Sequence, residues 1–400
     1  MANMIGQGAY GQVWSKNAPG NVTVAMKIAD IKEDSMDVLQ ASIRELRVLS
    51  HKTEYVVRLF KTRVFHKKVE IWMEKMETDL LKLIASQSLS EQHALQITND
   101  IAQGLHFIHS HCVLHRDIKP SNILISKYGD RYHAKLCDFG LSRQFCNELH
   151  RGSDYVVTRW YRAPEIFDTT ESYGFGVDVW AFGCVVYEMH TRKPLFKIMK
   201  DEKQLKSIHS DVDDKLDLVT NEKTRKLLAR VIDTNPRTRW TIGHVIEYLT
   251  DKPPPVCDKQ YRSITIDDTD VEEWTKVVIK RHPGHERTII HALVLFERSG
   301  GSERDFKMAI VVASLLFESV KDNRLLDEYV KGTTNLEIAT WACKYAAIHE
   351  LSEYEINKDV HKTLKSIFGS EEEPEPEPTA KRQKVVDKEA SLEEYLTGFL

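Results

Sequence analysis

One stretch of this chain, H-R-D-I-K-P-S-N at residues 115–122, restricts its fold and chemistry more than any other. It places an anion, a cation and a carboxamide in one short loop. Asp117 can accept the proton of an attacking hydroxyl, Lys119 can neutralise a phosphoryl group, and Asn122 can offer an oxygen to a metal ion. These residues predict a phosphoryl-transfer loop. A His-Arg-Asp run alone is typical of a polar surface loop, so the prediction depends on the other motifs.

A glycine-rich segment near the N-terminus has the pattern G-x-G-x-x-G-x-V. Its fixed positions are Gly6, Gly8, Gly11 and Val13. Glycines allow backbone N–H groups to approach phosphates without obstruction by side chains. The same spacing can open a dinucleotide-binding unit, but a helix should then follow. Here residues 22–28 predict a second strand after a Pro-Gly-Asn turn, which favours a phosphate-covering hairpin.

Lys27 lies on this second strand, where it can reach the phosphates of a nucleotide. A lone lysine is more often a surface residue. Residues 37–49 then show the apolar spacing of an amphipathic helix. Glu45 on this helix is the natural partner to orient Lys27, and the alternative is a solvated glutamate on the helix surface.

Further elements follow in order. Strands are predicted at residues 56–65 and 69–76, and a long helix from an N-cap at Ser90 through Ile108. A short strand at residues 134–137 ends in D-F-G. Asp138 of that triplet and Asn122 supply the carboxylate and carboxamide oxygens that Mg²⁺ prefers, so the two predict a metal site.

Taken together, these motifs resemble the signatures of the eukaryotic protein kinases over residues 1–250, with A-P-E at 163–165 completing the set. The resemblance implies an α+β two-lobed protein kinase fold. It implies ATP and Mg²⁺ as cofactors, with Asp117 as catalytic base and Asn122 and Asp138 as metal ligands. The nucleotide site that it implies is formed by Ile5, Gly6, Gly8, Gly11, Val13, Ala25, Lys27, Glu45, Met73 and Met76.

Two segments indicate the subgroup. I-R-E-L at residues 43–46 and T-R-W-Y-R-A-P-E at 158–165 are similar to the cyclin-dependent and MAP kinases. Lys119, placed two residues after Asp117, is similar to the serine/threonine class. Arg162 and its neighbours resemble kinases that prefer proline after the target residue, so proline-directed specificity is implied.

The same resemblance places an activating phosphorylation at Ser153, with Tyr155 as a second modified residue, and implies an upstream activating kinase. A physical check lies within the sequence. Three arginines are expected to converge on such a phosphate, since guanidinium–phosphate pairs are strong and often bidentate. They are Arg44, Arg116 and Arg143.

The second half of the chain has a different sequence pattern. Residues 251–261 contain three consecutive prolines and predict a stiff linker. Residues 262–368 predict successive amphipathic helices, hence a small all-α domain. Their order is similar to a single cyclin box, and the competing interpretation is an unrelated helical bundle. A cyclin-like domain here implies an intramolecular activator that docks on the helix at 37–49.

The last residues, 369–400, predict a disordered acidic and basic tail. E-E-E-P-E-P-E-P at 371–378 cannot support a packed core. The cluster A-K-R-Q-K-V at 380–385 resembles a nuclear localisation signal. The protein is therefore expected to be intracellular, in the nucleus, the cytoplasm or both.

Composition excludes several other classes. The formal net charge of −4 gives no reason to expect nucleic acid or an anionic membrane as a partner. The six cysteines form no C-x-x-C pair, which predicts reduced thiols and no zinc site. The N-terminus lacks a signal-peptide pattern, and the longest apolar run, 309–317, is short for a membrane span.

The sequence therefore predicts a serine/threonine protein kinase that transfers the γ-phosphate of ATP to protein Ser/Thr hydroxyls. Two alternatives remain open. One is a pseudokinase scaffold that binds nucleotide and partners without chemistry. It is disfavoured because the residues that carry the chemistry are all present. The other is a MAP-kinase-type relay with an unrelated helical tail.

Overall fold

A computed structural model describes most of the chain. The described residues are 3–8, 10–18, 22–144, 159–167, 173–197, 212–254, 275, 277–278, 280–282, 285–297, 302–317 and 324–345. Ser153, Tyr155, most of the linker, residues 346–368 of the predicted all-α domain and the whole tail at 369–400 lie outside them, so the predictions for those segments stay predictions.

The N-terminal lobe is a five-stranded antiparallel sheet with one helix. Its elements are β1 (Asn3–Gly8), β2 (Gly11–Ala18), β3 (Val22–Asp30), α1 (Asp37–Leu49), β4 (Leu59–Phe65) and β5 (Lys68–Glu74). The strand order is β1-β2-β3-β5-β4. In the central strand β3, Lys27 pairs with Val13 on one side and Ile71 on the other. Lys27 is therefore fixed on both edges of its strand.

The helix predicted at residues 37–49 is confirmed at both ends as α1. Leu39, Ile43 and Leu46, spaced four and three residues apart, are buried in the lobe's core. The predicted strand at 56–65 begins later, at Leu59. Val56 and Val57 leave this sheet because they pair instead with Leu136 of the other lobe. That pairing joins the lobes at the back of the molecule.

The C-terminal lobe is mainly helical. Its elements are β6 (Thr78–Asp79), α2 (Leu80–Ser86), α3 (Glu91–Ser110), β7 (Val113–Leu114), β8 (Ile123–Tyr128), β9 (Arg131–Leu136), β10 (Arg143–Gln144), α4 (Gly176–Thr191), α5 (Val212–Leu216), α6 (Glu222–Val231) and α7 (Ile242–Thr250). The predicted N-cap of α3 is confirmed, since Ser90 Oγ accepts a hydrogen bond from the His93 N–H at 3.2 Å. The two-lobed α+β fold expected from the sequence is confirmed.

Further helices follow the C-terminal lobe, and four of them have both bounds within the described residues. They are α8 (Glu286–Glu297), α9 (Glu303–Phe317), α10 (Arg324–Tyr329) and α11 (Asn335–Tyr345). Their apolar faces bury residues such as Leu293, Ile310 and Ala339. The predicted helical character of this region is confirmed, whereas the cyclin-box arrangement stays a prediction. Within the described part of the chain, no helix is long and apolar enough to cross a membrane.

A buried ion pair ties the base of the C-terminal lobe together. The two guanidinium nitrogens of Arg239 donate to the Glu165 carboxylate at 2.6 and 3.0 Å. The Arg239 side chain is 0% exposed, and its Nη1 also donates to the carbonyl of Gly176 at 2.9 Å. Its guanidinium lies 5.1 Å from the Trp180 ring centroid. This geometry gives the pair a structural role in the C-terminal lobe.

Replacing Glu165 with alanine is expected to lower the free energy of unfolding by about 3–5 kcal/mol, because Arg239 then stays buried without a counter-ion. Denaturant unfolding followed by tryptophan fluorescence measures this loss. Glu222→Ala, which removes an exposed pair with Lys226 on α6, is the control and should change stability little. A similarly small loss in both variants would contradict the structural role.

Candidate active site

A cavity of about 1030 Å³ lies between the N-terminal sheet and the β6-β8-β9 sheet. All ten residues predicted for the nucleotide site line it, together with Asp117, Lys119, Asn122 and Asp138. Side chains separated by more than a hundred residues in sequence are thus brought to one cleft. A largely preformed cleft with convergent polar groups is typical of a small-molecule site.

Lys27 is the most highly connected charge in this cleft. Its Nζ lies 2.6 Å from Glu45 Oε2 on α1 and 3.0 Å from Asp138 Oδ1. Burial acts to lower the pKa of Lys27, but the two carboxylates outweigh it and raise that pKa above its ordinary value. Burial likewise acts to raise the pKa of Asp138, and Lys27 overcomes it, so that pKa is lowered. Lys27 and Asp138 are therefore both charged at neutral pH.

Asp117 lies at the opposite side of the cleft, in the loop after β7. Its Oδ2 accepts hydrogen bonds from Lys119 Nζ at 2.7 Å and from Asn122 Nδ2 at 2.8 Å. Its Oδ1 accepts none from the residues that the structure describes. Burial raises the pKa of Asp117, and Lys119 offsets part of that rise. A buried carboxylate that lines the cavity, has a raised pKa and keeps one oxygen without a hydrogen bond to the described residues is suited to accept a proton.

Two residues of the cleft have strained backbones. Arg116 and Asp138 adopt φ angles of 69° and 61°, which non-glycine residues rarely take. The strain at Arg116 is offset by Asp178 on α4, whose two carboxylate oxygens accept the N–H groups of His115 and Arg116 at 2.8 Å each. His109 Nε2 contacts the same carboxylate at 2.9 Å. Asp178 therefore holds the backbone that carries Asp117.

The glycines of the hairpin between β1 and β2 differ in how much space surrounds them. Gly11 has φ 151°, and a side chain there would meet the carbonyl oxygen of Ile28, so only glycine fits. At Gly8, by contrast, a side chain would meet nothing within 4 Å. The protein itself thus leaves space beside Gly8 that a phosphate group can occupy, which agrees with the predicted nucleotide site.

The predicted metal ligands are compatible with Mg²⁺. Asn122 donates two hydrogen bonds from Nδ2 to Asp117, one to the carbonyl oxygen and one to Oδ2, so its side-chain oxygen remains for a cation. Asp138 supplies carboxylate oxygens in the same cavity. Among the described residues, no group of three or more His, Cys, Asp or Glu side chains surrounds a metal position. Two protein ligands suit Mg²⁺, which usually completes its shell with water and substrate phosphates.

The three predicted arginines approach one another beside the cleft. Burial, and then the charges of Arg116 and Arg143, lower the pKa of Arg44 to about 9. Arg143 is buried, and the Arg116 guanidinium lies 5.8 Å from the Tyr173 ring centroid. Three like charges in one place favour a polyanion as their partner. Ser153 and Tyr155, their predicted targets, lie outside the described residues.

The sequence analysis missed several residues of the site. Leu124 and Tyr10 line the cavity, and Asp178 positions the loop of Asp117. Two of these had a usable signal. Leu124 alternates with the buried Ile123 and Ile125 on β8, so it points to the opposite face. Asp178 is an acidic residue in the first turn of a mostly apolar helix, and such a residue is seldom buried without partners.

Comparisons with known proteins agree with this geometry. Residues 1–249 match the protein kinase domain family. Mitogen-activated protein kinase 7 of Arabidopsis thaliana is 37% identical over 278 residues, which is 66% of this chain and 73% of that protein. Mitogen-activated protein kinase 14 of the same plant is 36% identical over 279 residues, again 66% and 73%. Mitogen-activated protein kinase 4 of Oryza sativa subsp. japonica is 38% identical over 239 residues, 56% of this chain and 63% of that protein.

Asp178→Asn is expected to lower the free energy of unfolding by about 2–3 kcal/mol, because an amide cannot accept both backbone N–H groups. Burial acts to raise the pKa of Asp178, but hydrogen bonds led by that of His109 lower it below its ordinary value. A lowered folded pKa stabilises the protein above the unfolded pKa of about 3.9 and ceases to do so as pH falls through the folded value.

The stability difference between the two proteins should therefore be constant from about pH 5 to pH 8 and shrink below about pH 4. Denaturant unfolding across this range measures it. Asp130→Asn, on the exposed turn between β8 and β9, is the matched control. A difference that grew on acidification would contradict the charged state assigned to Asp178.

Proposed function

The chain belongs to the protein kinase family and is a serine/threonine protein kinase of the group that holds the mitogen-activated protein kinases, and we propose that Asp117 is its catalytic base. The observation that carries this role is the geometry of the carboxylate. Lys119 and Asn122 bind one oxygen, the other accepts no hydrogen bond from the described residues, and Asp117 lines the cavity. A substrate hydroxyl that approaches this second oxygen can pass its proton to it as the oxygen–phosphorus bond forms.

Lys27, Glu45 and the glycine hairpin are proposed to hold the nucleotide. Kinases of this family use ATP with Mg²⁺. The charged Lys27, fixed by Glu45 at 2.6 Å, is suited to bind phosphate oxygens. Met73 and Met76 are proposed to border the adenine, since both are buried residues of the cavity wall. The remaining predicted wall residues, Ile5, Val13 and Ala25, supply apolar contacts.

Asn122 and Asp138 are proposed as the protein ligands of Mg²⁺. When bound, the ion neutralises charge on the phosphates. The competing pseudokinase interpretation is disfavoured by the intact set of charged groups in the cleft. A protein that only bound nucleotide would have no need for the buried Asp117 with its raised pKa.

Phosphorylation of Ser153 is proposed to activate the enzyme. The three arginines lie on different elements: Arg44 on α1, Arg116 beside Asp117, and Arg143 on β10. A phosphate between them forms charge-assisted hydrogen bonds to all three elements and relieves the repulsion that lowers the pKa of Arg44. Such a phosphate joins α1 to the loop of Asp117. We propose Tyr155 as a further modified residue and an upstream kinase as the source of the phosphate.

The substrates are proposed to be proteins with Ser/Thr-Pro sequences. Arg162 is buried in the A-P-E segment, and the neighbouring Tyr161 donates to Glu188 on α4 at 2.8 Å. These contacts give the segment a fixed shape, which sequence-selective binding requires.

The basic cluster at residues 380–385 supports a distribution of the protein between nucleus and cytoplasm.

The helical region after the linker is proposed to be an intramolecular activator, cyclin-like in role. Helices α9 and α11 pack against α1, and α11 also packs against β4. They thus cover the helix that carries Glu45. The alternative is that they belong to a MAP-kinase-type relay and have no effect on activity.

Asp117→Asn should lower the rate of phosphate transfer by about 10³-fold, since a carboxamide cannot accept the hydroxyl proton. The measurement is radiolabel transfer from ATP by the purified full-length protein to peptides that carry Ser-Pro or Ser-Ala. Asp130→Asn is the matched control and should retain the wild-type rate. Activity retained by Asp117→Asn would refute the assignment, and equal rates on the two peptides would refute proline-directed specificity alone.

Ser153→Ala should lower the activity of fully phosphorylated protein by about tenfold, because the bonds that a phosphate makes to the arginines are lost. Arg143→Gln should have a similar effect, and the double variant should be no worse than either single one. Mass spectrometry establishes the phosphorylation state before each assay. Independent, additive losses would show that the phosphate and Arg143 do not interact.

A further inference from the structure

The start of α1 depends on groups from a distant part of the chain. Its N-cap residue, Met36, makes no side-chain capping bond. The preceding turn, closed by a bridge between Lys32 and Ser35, offers only a long bond of 3.3 Å from the Asp37 N–H to Ser35 Oγ. A helix start without a strong cap frays easily. Fraying here matters because Glu45 lies on the same helix.

Asn335, the first residue of α11, binds this turn. Its Nδ2 donates to the Lys32 carbonyl at 2.7 Å and to the Ser35 carbonyl at 3.4 Å. Its backbone N–H donates to Glu33 Oε2 at 2.9 Å. Asn335 is buried, at 4% exposure. Three bonds from one residue therefore fix the turn that leads into α1.

Asn335 is not needed to cap its own helix. Thr334 and Glu337 form a capping box: the Thr334 N–H donates to Glu337 Oε2 at 2.9 Å, and the Glu337 N–H donates to Thr334 Oγ1 at 3.2 Å. The side chain of Asn335 thus acts on the N-terminal lobe rather than on α11. A substitution that removes its amide leaves the capping box in place.

A second hydrogen bond is donated by α1 to the helical region. Gln40 on α1 donates from Nε2 to the carbonyl of Leu315 at 3.0 Å. Leu315 lies in the last turn of α9, where carbonyls lack partners within the helix. Trp341 on α11 donates to Asp305 on α9 at 3.0 Å, so the two helices act as one support. Asn335 and Gln40 together fix α1 at its start and along its first turn.

We propose that Asn335 and Gln40 are positioning residues for the Lys27–Glu45 ion pair. They fix the position of α1 along its axis and its rotation about that axis, and thereby place the Glu45 carboxylate beside Lys27. They do not contact nucleotide or substrate themselves. The inference rests on the proposed function of that ion pair and identifies the contacts through which residues 303–345 would support it. A helix anchored at its first turn carries a residue two turns further on with it, because the helix is rigid over that length.

The test compares Asn335→Asp and Gln40→Glu in the full-length protein. The aspartate keeps the size of Asn335 but replaces the Nδ2 donor with an acceptor oxygen that faces the Lys32 and Ser35 carbonyls, and the backbone N–H that binds Glu33 is unchanged. The glutamate does the same towards the Leu315 carbonyl. Arg304→Gln is the control, since it removes a bond to Glu337 within the helical region and makes no change at α1.

Two measurements are made on each variant. Hydrogen exchange of the amides in residues 37–49 should be faster by about tenfold in both test variants, a loss equivalent to one or two hydrogen bonds, and unchanged in Arg304→Gln. Steady-state kinetics should show kcat lowered by about tenfold with the peptide KM changed by less than about twofold, because the reacting groups lose alignment while peptide binding is retained.

The inference is overturned if both test variants exchange the amides of residues 37–49 no faster than Arg304→Gln does. This holds whatever their catalytic rates are. If Asn335→Asp also speeds exchange in 335–345, the variant has melted α11, and Gln40→Glu decides alone because it leaves α11 unaltered. The exchange measurement needs no catalysis. If the wild-type protein shows no phosphate transfer that Asp117→Asn abolishes, the proposed function is wrong. The exchange comparison still tests whether Asn335 and Gln40 anchor α1.

Discussion

The buried contact of Lys27 with Glu45 and Asp138 is the interaction on which the site depends. It joins three separate pieces of the fold: the central strand of the N-terminal sheet, helix α1, and the segment that follows β9. The charges of Lys27 and Glu45 are buried, and buried charges are stable only when their geometry is held closely, because they have lost most of their hydration. The surrounding structure can thus be understood by how it keeps these three pieces in place.

The C-terminal lobe holds its share of the site through a second buried anion. Asp178 binds two consecutive backbone N–H groups and thereby stabilises a strained backbone at Arg116. Asp117 follows directly and meets Lys119 and Asn122 on one side. The carboxylate that faces the cleft is consequently oriented by α4, an element that contributes nothing else to the cleft. Strain of this kind persists only where the neighbours enforce it.

The third support comes from the helical region near the end of the described chain. Asn335 of α11 donates hydrogen bonds to the turn before α1, and Gln40 of α1 donates one to the last turn of α9. Met36 makes no side-chain cap at the start of α1, so the bonds of Asn335 to the preceding turn supplement the local helix signal. The arginine cluster acts on the same helix through Arg44. The position of Glu45 is thus subject to two separate influences, a proposed phosphate and an internal set of helices.

The sequence alone determined the chemical residues and most local elements of this protein. The octapeptide at 115–122, the glycine hairpin, Lys27 and Asp138 are recognisable because their spacing is fixed by a local loop or strand. The bounds of α1 and the cap at Ser90 follow from patterns within a few residues. Tertiary structure alone decided the rest. Val56 and Val57 pair with Leu136, Asp178 reaches the loop of Asp117, and Asn335 binds a turn some 300 residues before it. Such contacts depend on how finished elements pack, and a local pattern carries no information about which distant polar group will satisfy a given carbonyl or N–H.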